Sequence, residues 1–159
     1  MNIEKTGIKL QEILNLDRSS KKLIPLNEVE ITISKQQILL AVKTILKSGI
    51  WHLSAITCQQ LENEFVLLYH FWKSGGLTLL ISLDENNLQI DSICSLVSGA
   101  EFYEREVREM FGIEFLGLPN PTPLLLPDDW EGGYPMRKKE PASQEKSNEN
   151  PLQDKGKSV

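Results

Sequence analysis

FVLLYHFWKSGGLTLLISL, residues 65–83, reads as two strands and the turn that joins them. Phe65 to Trp72 and Leu77 to Leu83 are rich in large apolar residues, the composition of strands with a buried face. Lys73-Ser74-Gly75-Gly76 between them supplies the glycines that a hairpin connection uses. The first strand is nearly continuous in bulky apolar side chains, which places it inside the sheet. His70 lies within it, and no second ligand candidate accompanies it. A packed or edge histidine is therefore the reading, not a metal ligand.

Working back from the hairpin, Trp51 to Cys58 reads as another strand, and Glu28 to Ile33 alternates strictly, with Val29, Ile31 and Ile33 on one face. Ser34 followed by Gln37 has capping-box spacing, so a helix opens there. Ile38, Ala41, Val42, Ile45 and Leu46 form its apolar stripe, and Gly49 stands where a left-handed C-terminal cap belongs. Residues 1–24 read as an amphipathic helix carried by Ile3, Leu10, Ile13 and Leu14. Gly7 weakens the first turns, so the helix is expected to begin after it. Working forward, Asp91 to Ser98 reads as a short helix, and Glu101 to Phe111 as a longer charged one ending at Gly112. The expected fold is α+β: a mixed or antiparallel sheet of about four strands with helices packed on it, occupying 25–112. An extended proline-rich arm (113–138) and a flexible tail (139–159) follow. The tail holds no aromatic residue and mixed charge, too little apolar area to offset ordering entropy.

The chain has 159 residues, 18.0 kDa and a net charge of -5, enough length for one buried core and no basic footprint for nucleic acid. No apolar run approaches the ~20 residues of a membrane helix. The N-terminus lacks a signal-peptide pattern, so a cytoplasmic location is expected. Cys58 and Cys94 are far apart and each lies among apolar residues, and His52 and His70 are the only histidines. An iron–sulfur cluster normally takes four thiolates and a structural zinc four Cys/His ligands, so neither is expected here. Nor is there a phosphate loop or dinucleotide fingerprint.

The most unusual stretch is 100–138, AEFYEREVREMFGIEFLGLPNPTPLLLPDDWEGGYPMRK. Glu101 with Arg105, Glu104 with Arg108 and Arg105 with Glu109 are four apart, pairs that support an exposed helix by roughly 0.2–0.5 kcal/mol each. Phe102, Tyr103, Val107, Met110 and Phe111 leave little of the circumference free, so some of these charges should be partly buried. Beyond the helix, Pro119, Pro121, Pro123, Pro127 and Pro135 exclude helix and central strand. Yet the run carries Phe115, Leu124, Leu125, Leu126, Trp130, Tyr134 and Met136, so it needs a surface to lie on, its own domain's or a partner's. Trp, Tyr and Arg dominate interface hot spots, which favours a partner. A hydrolase-type carboxylate pair among Glu104, Glu106, Glu109, Asp128, Asp129 and Glu131 is disfavoured, because no nucleophile or histidine base accompanies them.

Glu104-Arg105-Glu106, Glu109-Met110-Phe111-Gly112-Ile113, Leu126-Pro127-Asp128-Asp129-Trp130-Glu131-Gly132 and Pro135-Met136-Arg137-Lys138 follow one another in a distinctive order and spacing. The series resembles the 30 kDa (C-type) subunit of proton-pumping NADH–quinone oxidoreductase, complex I. Relatives of that subunit also occur in energy-converting membrane-bound [NiFe] hydrogenases and deazaflavin-dependent dehydrogenases. The form LLLPDDWEGGYPMRK is similar to the hydrogenase subunits. Leu118-Pro119 and Thr122 stand where typical respiratory members have a histidine-proline pair and a basic residue.

The resemblance implies a scaffold subunit that binds no cofactor, in a complex containing iron–sulfur clusters that couples electron transfer to ion translocation. It implies as partners a large catalytic subunit of the 49 kDa or hydrogenase-large type, a small iron–sulfur subunit and a ferredoxin-like iron–sulfur subunit. Membrane association would be indirect, on the cytoplasmic face. The expected interface comprises Glu104, Arg105, Glu106, Glu109, Phe111, Leu124, Leu125, Asp128, Trp130, Tyr134, Arg137 and Lys138, with no catalytic residue. The competing class is a free-standing α+β protein-binding domain.

Overall fold

A computed structural model describes residues 3–24 and 27–138. In chain order it comprises α1 (Ile3–Leu14), β1 (Lys21–Ile24), β2 (Glu28–Thr32), α2 (Ile38–Lys47), β3 (His52–Gln60), β4 (Glu64–Trp72), β5 (Gly76–Asp84), β6 (Gln89–Asp91), α3 (Ala100–Phe111) and β7 (Glu114–Leu116). Five strands form a mixed sheet in the order β1-β2-β5-β4-β3, in which only β2 and β5 run parallel. Strands β6 and β7 form a separate parallel pair.

The hairpin decides the sheet as its alternation dictates. Phe65, Leu67, Tyr69 and Phe71 of β4 face Leu83, Ile81, Leu79 and Leu77 of β5, and all eight are buried. Burying a side chain of this size is worth about 1.5–3 kcal/mol, so this one face outweighs any single polar contact in the domain. Helix α1 lies over β2 and β5, α2 packs on α1, and α3 lies over β3, where Phe111 meets Phe65 edge-on at 6.4 Å. The other face carries Val66, Leu68 and His70, only half-buried. His70 sits between Thr57 Oγ1 (3.2 Å) and Thr78 Oγ1 (3.0 Å), and burial, against the pull of Glu28 and Glu30, lowers its pKa. It is a packed histidine with satisfied nitrogens.

Several elements differ from the sequence reading. The α+β fold with a mixed sheet is as expected, and a fifth strand joins the sheet because Lys21–Ile24 pairs along β2 as an edge strand instead of belonging to the N-terminal helix. Helix α1 runs through Gly7 rather than starting after it. A Cβ at Gly7 would lie 3.1 Å from Val29 Cγ1 and 3.3 Å from Lys21 Cδ, so the glycine allows close approach of helix to sheet. Ile13 is 44% exposed and leaves the stripe to Ile3, Leu10 and Leu14. Asp91–Ser98 is not a helix. Gln89–Asp91 pairs with Glu114–Leu116, and turns follow, because the Ser92 hydroxyl that could have capped a helix is used elsewhere. The arm accordingly begins as a strand, with Phe115 buried. The flexible tail expected at 139–159 lies outside the described residues.

Candidate functional site

Helix α3 ends where Gly112 takes a left-handed conformation (φ 72°) and its N–H returns to the Arg108 carbonyl. The chain then turns back over the helix that precedes it. What holds it there is the polar side of α3.

Arg105 donates from Nε to the Thr122 carbonyl (3.0 Å), and from Nη2 to the Pro123 carbonyl (2.8 Å) and Thr122 Oγ1 (3.2 Å). Arg108 donates to the Pro121 carbonyl at 2.9 Å. Glu109 accepts three consecutive main-chain N–H groups: Leu124 (3.1 Å) and Leu126 (2.9 Å) on one oxygen, Leu125 (2.9 Å) on the other. Prolines 121 and 123 cannot donate, so arginines meet the carbonyls there and a carboxylate meets the N–H groups beyond. Further along, Met136 N–H donates to the Met110 carbonyl (3.1 Å) and Arg137 Nε to the Phe111 carbonyl (2.8 Å). The Arg137 guanidinium also lies over the rings of Tyr134 (4.5 Å) and Phe65 (5.2 Å). Lys138 N–H reaches Gln60 Oε1 on β3 at 2.6 Å, and Trp130 Nε1 closes a local loop onto the Gly133 carbonyl at 2.8 Å.

These contacts take the arm by its main chain and leave four of its large side chains outside. Leu125, Trp130, Tyr134 and Met136 are between 46% and 61% exposed. An open cavity of about 580 Å³ separates helix from arm, walled by Arg108, Glu109, Ile113, Leu126, Trp130 and Tyr134.

The helical ion pairs read from the sequence resolve differently. Of the three pairs at that spacing on α3, Glu101–Arg105 forms, at 4.0 Å. Arg108 and Glu109 turn to the arm. Glu104 turns inward: fully buried, it accepts Ser92 Oγ (2.6 Å), Ile93 N–H (2.8 Å) and Cys94 Sγ (3.2 Å). Burial raises its pKa, and those three donors only partly offset the rise. Of the twelve expected interface residues, Glu104 and Phe111 therefore lie within this domain's own core, Arg105 and Glu109 serve the arm's backbone, and Arg137 reaches from the arm to the Phe111 carbonyl at the end of α3. Glu106, Leu125, Asp128, Trp130, Tyr134 and Lys138 face outward, and Leu124 is half-buried. Arg108, Ser92 and Gln60 were not among the expected site residues, since partners 12 to 78 residues away leave no local spacing signal.

The clasp depends on ionised Glu109. Partial desolvation raises its pKa, but the N–H groups of Leu126, Leu125 and Leu124 and the charge of Arg105 outweigh that and hold it below the usual value. A depressed carboxylate stabilises fully above its ordinary pKa and loses that contribution as the pH falls through the lowered one. Protection of the Leu124–Leu126 amides against exchange, relative to the unfolded chain at the same pH, should thus be full above the ordinary carboxylate pKa and fall as the pH drops through the lowered one. Glu109→Gln should lower that protection at neutral pH and remove its pH dependence. Unchanged exchange in that variant would show that the carboxylate does not hold the arm.

Burial pushes Cys58 up to about 12, against the influence of Arg137, and Cys94 up to about 11. Among the described residues no three His, Cys, Asp or Glu side chains gather as metal ligands. No described helix is long and apolar enough to cross a membrane.

Comparison with known proteins bears on this arrangement. The NADH-quinone oxidoreductase C subunit of Roseiflexus sp. (strain RS-1) is 39% identical over 87 residues, 53% of this chain and 49% of that one. The C/D subunit of Blochmanniella pennsylvanica is 39% identical over 84 residues, 51% of this chain and 14% of the longer protein. The chain thus spans half or less of these curated relatives. Two solved structures share the fold. The trypsin-resistant fragment of Nqo5 matches with TM-score 0.62 and 18% identity, over 76% of this chain and 99% of that one. A chain of the archaeal membrane-bound sulfane sulfur reductase, a respiratory membrane complex, matches with TM-score 0.72 and 20% identity, over 83% and 81%. The family described as respiratory-chain NADH dehydrogenase, 30 kDa subunit, matches residues 31–146. That match takes in β3 to β5, α3 and the whole arm, and this chain belongs to that family.

Proposed function

We propose that this chain is a non-redox scaffold subunit in the peripheral arm of a complex-I-like, membrane-bound oxidoreductase. It clamps the catalytic large subunit and the small iron–sulfur subunit through α3 and residues 113–138, beside a ferredoxin-like subunit, on the cytoplasmic face of the membrane. Electron transfer to quinone, or to protons in a hydrogenase-type complex, then takes place in the neighbouring subunits and is coupled there to ion translocation. The single observation that carries this reading is the clasp: α3 satisfies the arm's backbone, so the apolar ridge of Leu125, Trp130, Tyr134 and Met136 is presented rather than buried. A ridge of that composition is costly to leave in water and suits a partner surface. The joint C/D name of relatives such as that of Blochmanniella pennsylvanica supports a second subunit as immediate neighbour.

The test is isolation of the tagged full-length chain from membranes of its own host. Co-elution with a large subunit and iron–sulfur proteins is the expected result. A monodisperse lone chain, free of them under mild detergent, would instead favour an independent binding domain.

A further inference from the structure

The glutamates of α3 are accounted for inside the domain with one exception. Glu101 meets Arg105, Glu104 is taken by Ser92, Ile93 and Cys94, and Glu109 holds the arm. Glu106 is exposed and has neither hydrogen bond nor ion pair among the described residues. Its own helix cannot supply one. Its neighbours at three and four positions are Phe102, Tyr103, Glu109 and Met110, none of them basic. The nearby arginines are turned elsewhere: Arg105 and Arg108 to the arm's carbonyls, Arg137 to the rings of Phe65 and Tyr134.

Beside this lone carboxylate an apolar cleft of about 240 Å³ opens between β3 and α3. Its walls are Ile56, Cys58, Val107, Met110, Leu125 and Met136, and Glu106 lies on its lining. The cleft is continuous with the docking ridge, because Leu125 and Met136 belong to both. A long aliphatic stem ending in a positive charge matches such a place: the stem fills the apolar part and the head meets the carboxylate.

We infer that this cleft receives a lysine or arginine side chain of the large subunit, with Glu106 as its counter-charge. This rests on the docking reading above and adds the chemistry of one partner residue. Enclosed on one side by the cleft and on the other by the partner, the pair would be shielded from solvent, where a charge pair is worth more than at a rim.

The test measures binding of the full-length chain to the large subunit of the same organism between about 50 and 500 mM salt, for the native chain, Glu106→Gln, Glu106→Lys and Trp130→Ala. Glu106→Gln should weaken binding about tenfold and flatten the salt dependence, and Glu106→Lys should weaken it about a hundredfold. The melting temperature of the lone chain should stay within about 2 °C in both, since Glu106 is exposed and makes no hydrogen bond or ion pair among the described residues. If the Glu106 variants bind like the native chain while Trp130→Ala does not, the inferred cation is wrong and the docking surface stands. If Trp130→Ala also binds normally, the docking surface itself falls. Weakening by Glu106→Gln with an unchanged salt dependence would mean recognition by shape, which overturns the inference. So would loss of the charge effect on truncation after Lys138, since the cation would then come from this chain's own tail.

Discussion

Glu104→Ala should unfold the isolated chain about 10 °C earlier than the native one, the largest stability loss expected from any charged side chain of α3. The carboxylate is fully buried and receives Ser92 Oγ at 2.6 Å and Ile93 N–H at 2.8 Å, with Cys94 Sγ as a weaker third donor. Alanine leaves a main-chain N–H and a hydroxyl without acceptors and opens a cavity. At about 1–3 kcal/mol for each orphaned group, plus the cavity term, the loss is about 3–5 kcal/mol. A change of 1 kcal/mol moves a chain of this length by roughly 2–4 °C. Glu104→Gln keeps the volume and a carbonyl for Ile93 and can donate its amide to Ser92, so its cost should be about 1 kcal/mol. Burial raises the native pKa, so the titration contribution is full below the ordinary carboxylate value and is lost as the pH rises through the raised one. Glu104→Gln should therefore melt with a flatter pH dependence across that window. Scanning calorimetry on the three proteins checks both statements. Equal melting of Glu104→Ala and the native chain would mean that the 92–94 turn is held by something else.

Trp130→Ala should do the opposite: weaken association with the large subunit about a hundredfold or more and leave the lone chain nearly as stable as before. The indole is 46% exposed, and its one hydrogen bond is local, to the Gly133 carbonyl at 2.8 Å. Little core area is lost with it. An aromatic anchor at a protein interface, by contrast, commonly carries about 2–4 kcal/mol. Arg105→Ala should affect both measurements, because its guanidinium holds the Thr122 and Pro123 carbonyls and so positions the arm. The ratio of lost affinity to lost stability should then be high for Trp130→Ala and lower for Arg105→Ala. A Trp130→Ala chain that melts earlier yet assembles normally would make the indole an internal prop.

The hairpin of β4 and β5, the strand–helix unit of β2 and α2, and the limits of α3 were legible because each depends on neighbours in sequence. Period-two alternation, the Ser34–Gln37 spacing and Gly112 all act within a few residues, and Ser34 N–H does meet Gln37 Oε1 at 3.0 Å. Strand β1 was not legible: four residues at a sheet edge, with Lys21 and Lys22 among them, carry no alternation strong enough to compete with a helix reading. The Asp91–Ser98 region misled for a physical reason. Asp and Ser cap helices when their side chains serve local N–H groups, and here the Ser92 hydroxyl serves a carboxylate twelve residues ahead. The charges of α3 misled in the same way. Spacing of four offers Glu104 to Arg108 and Arg105 to Glu109, but main-chain groups 13 to 18 residues further on outcompete those solvated pairs. What could be read was that a run with so many prolines and large apolar residues needs support. That the support for its backbone comes from α3, while its side chains stay outside, needed the structure.

The presentation of that ridge is tested most directly by a structure of this chain bound to its large subunit. Leu125, Trp130, Tyr134 and Met136, now 46–61% exposed, should each be buried against the partner, with Glu109 still holding the N–H groups of Leu124–Leu126. A complex in which those four side chains remain in water, or in which the arm has left α3, would contradict it.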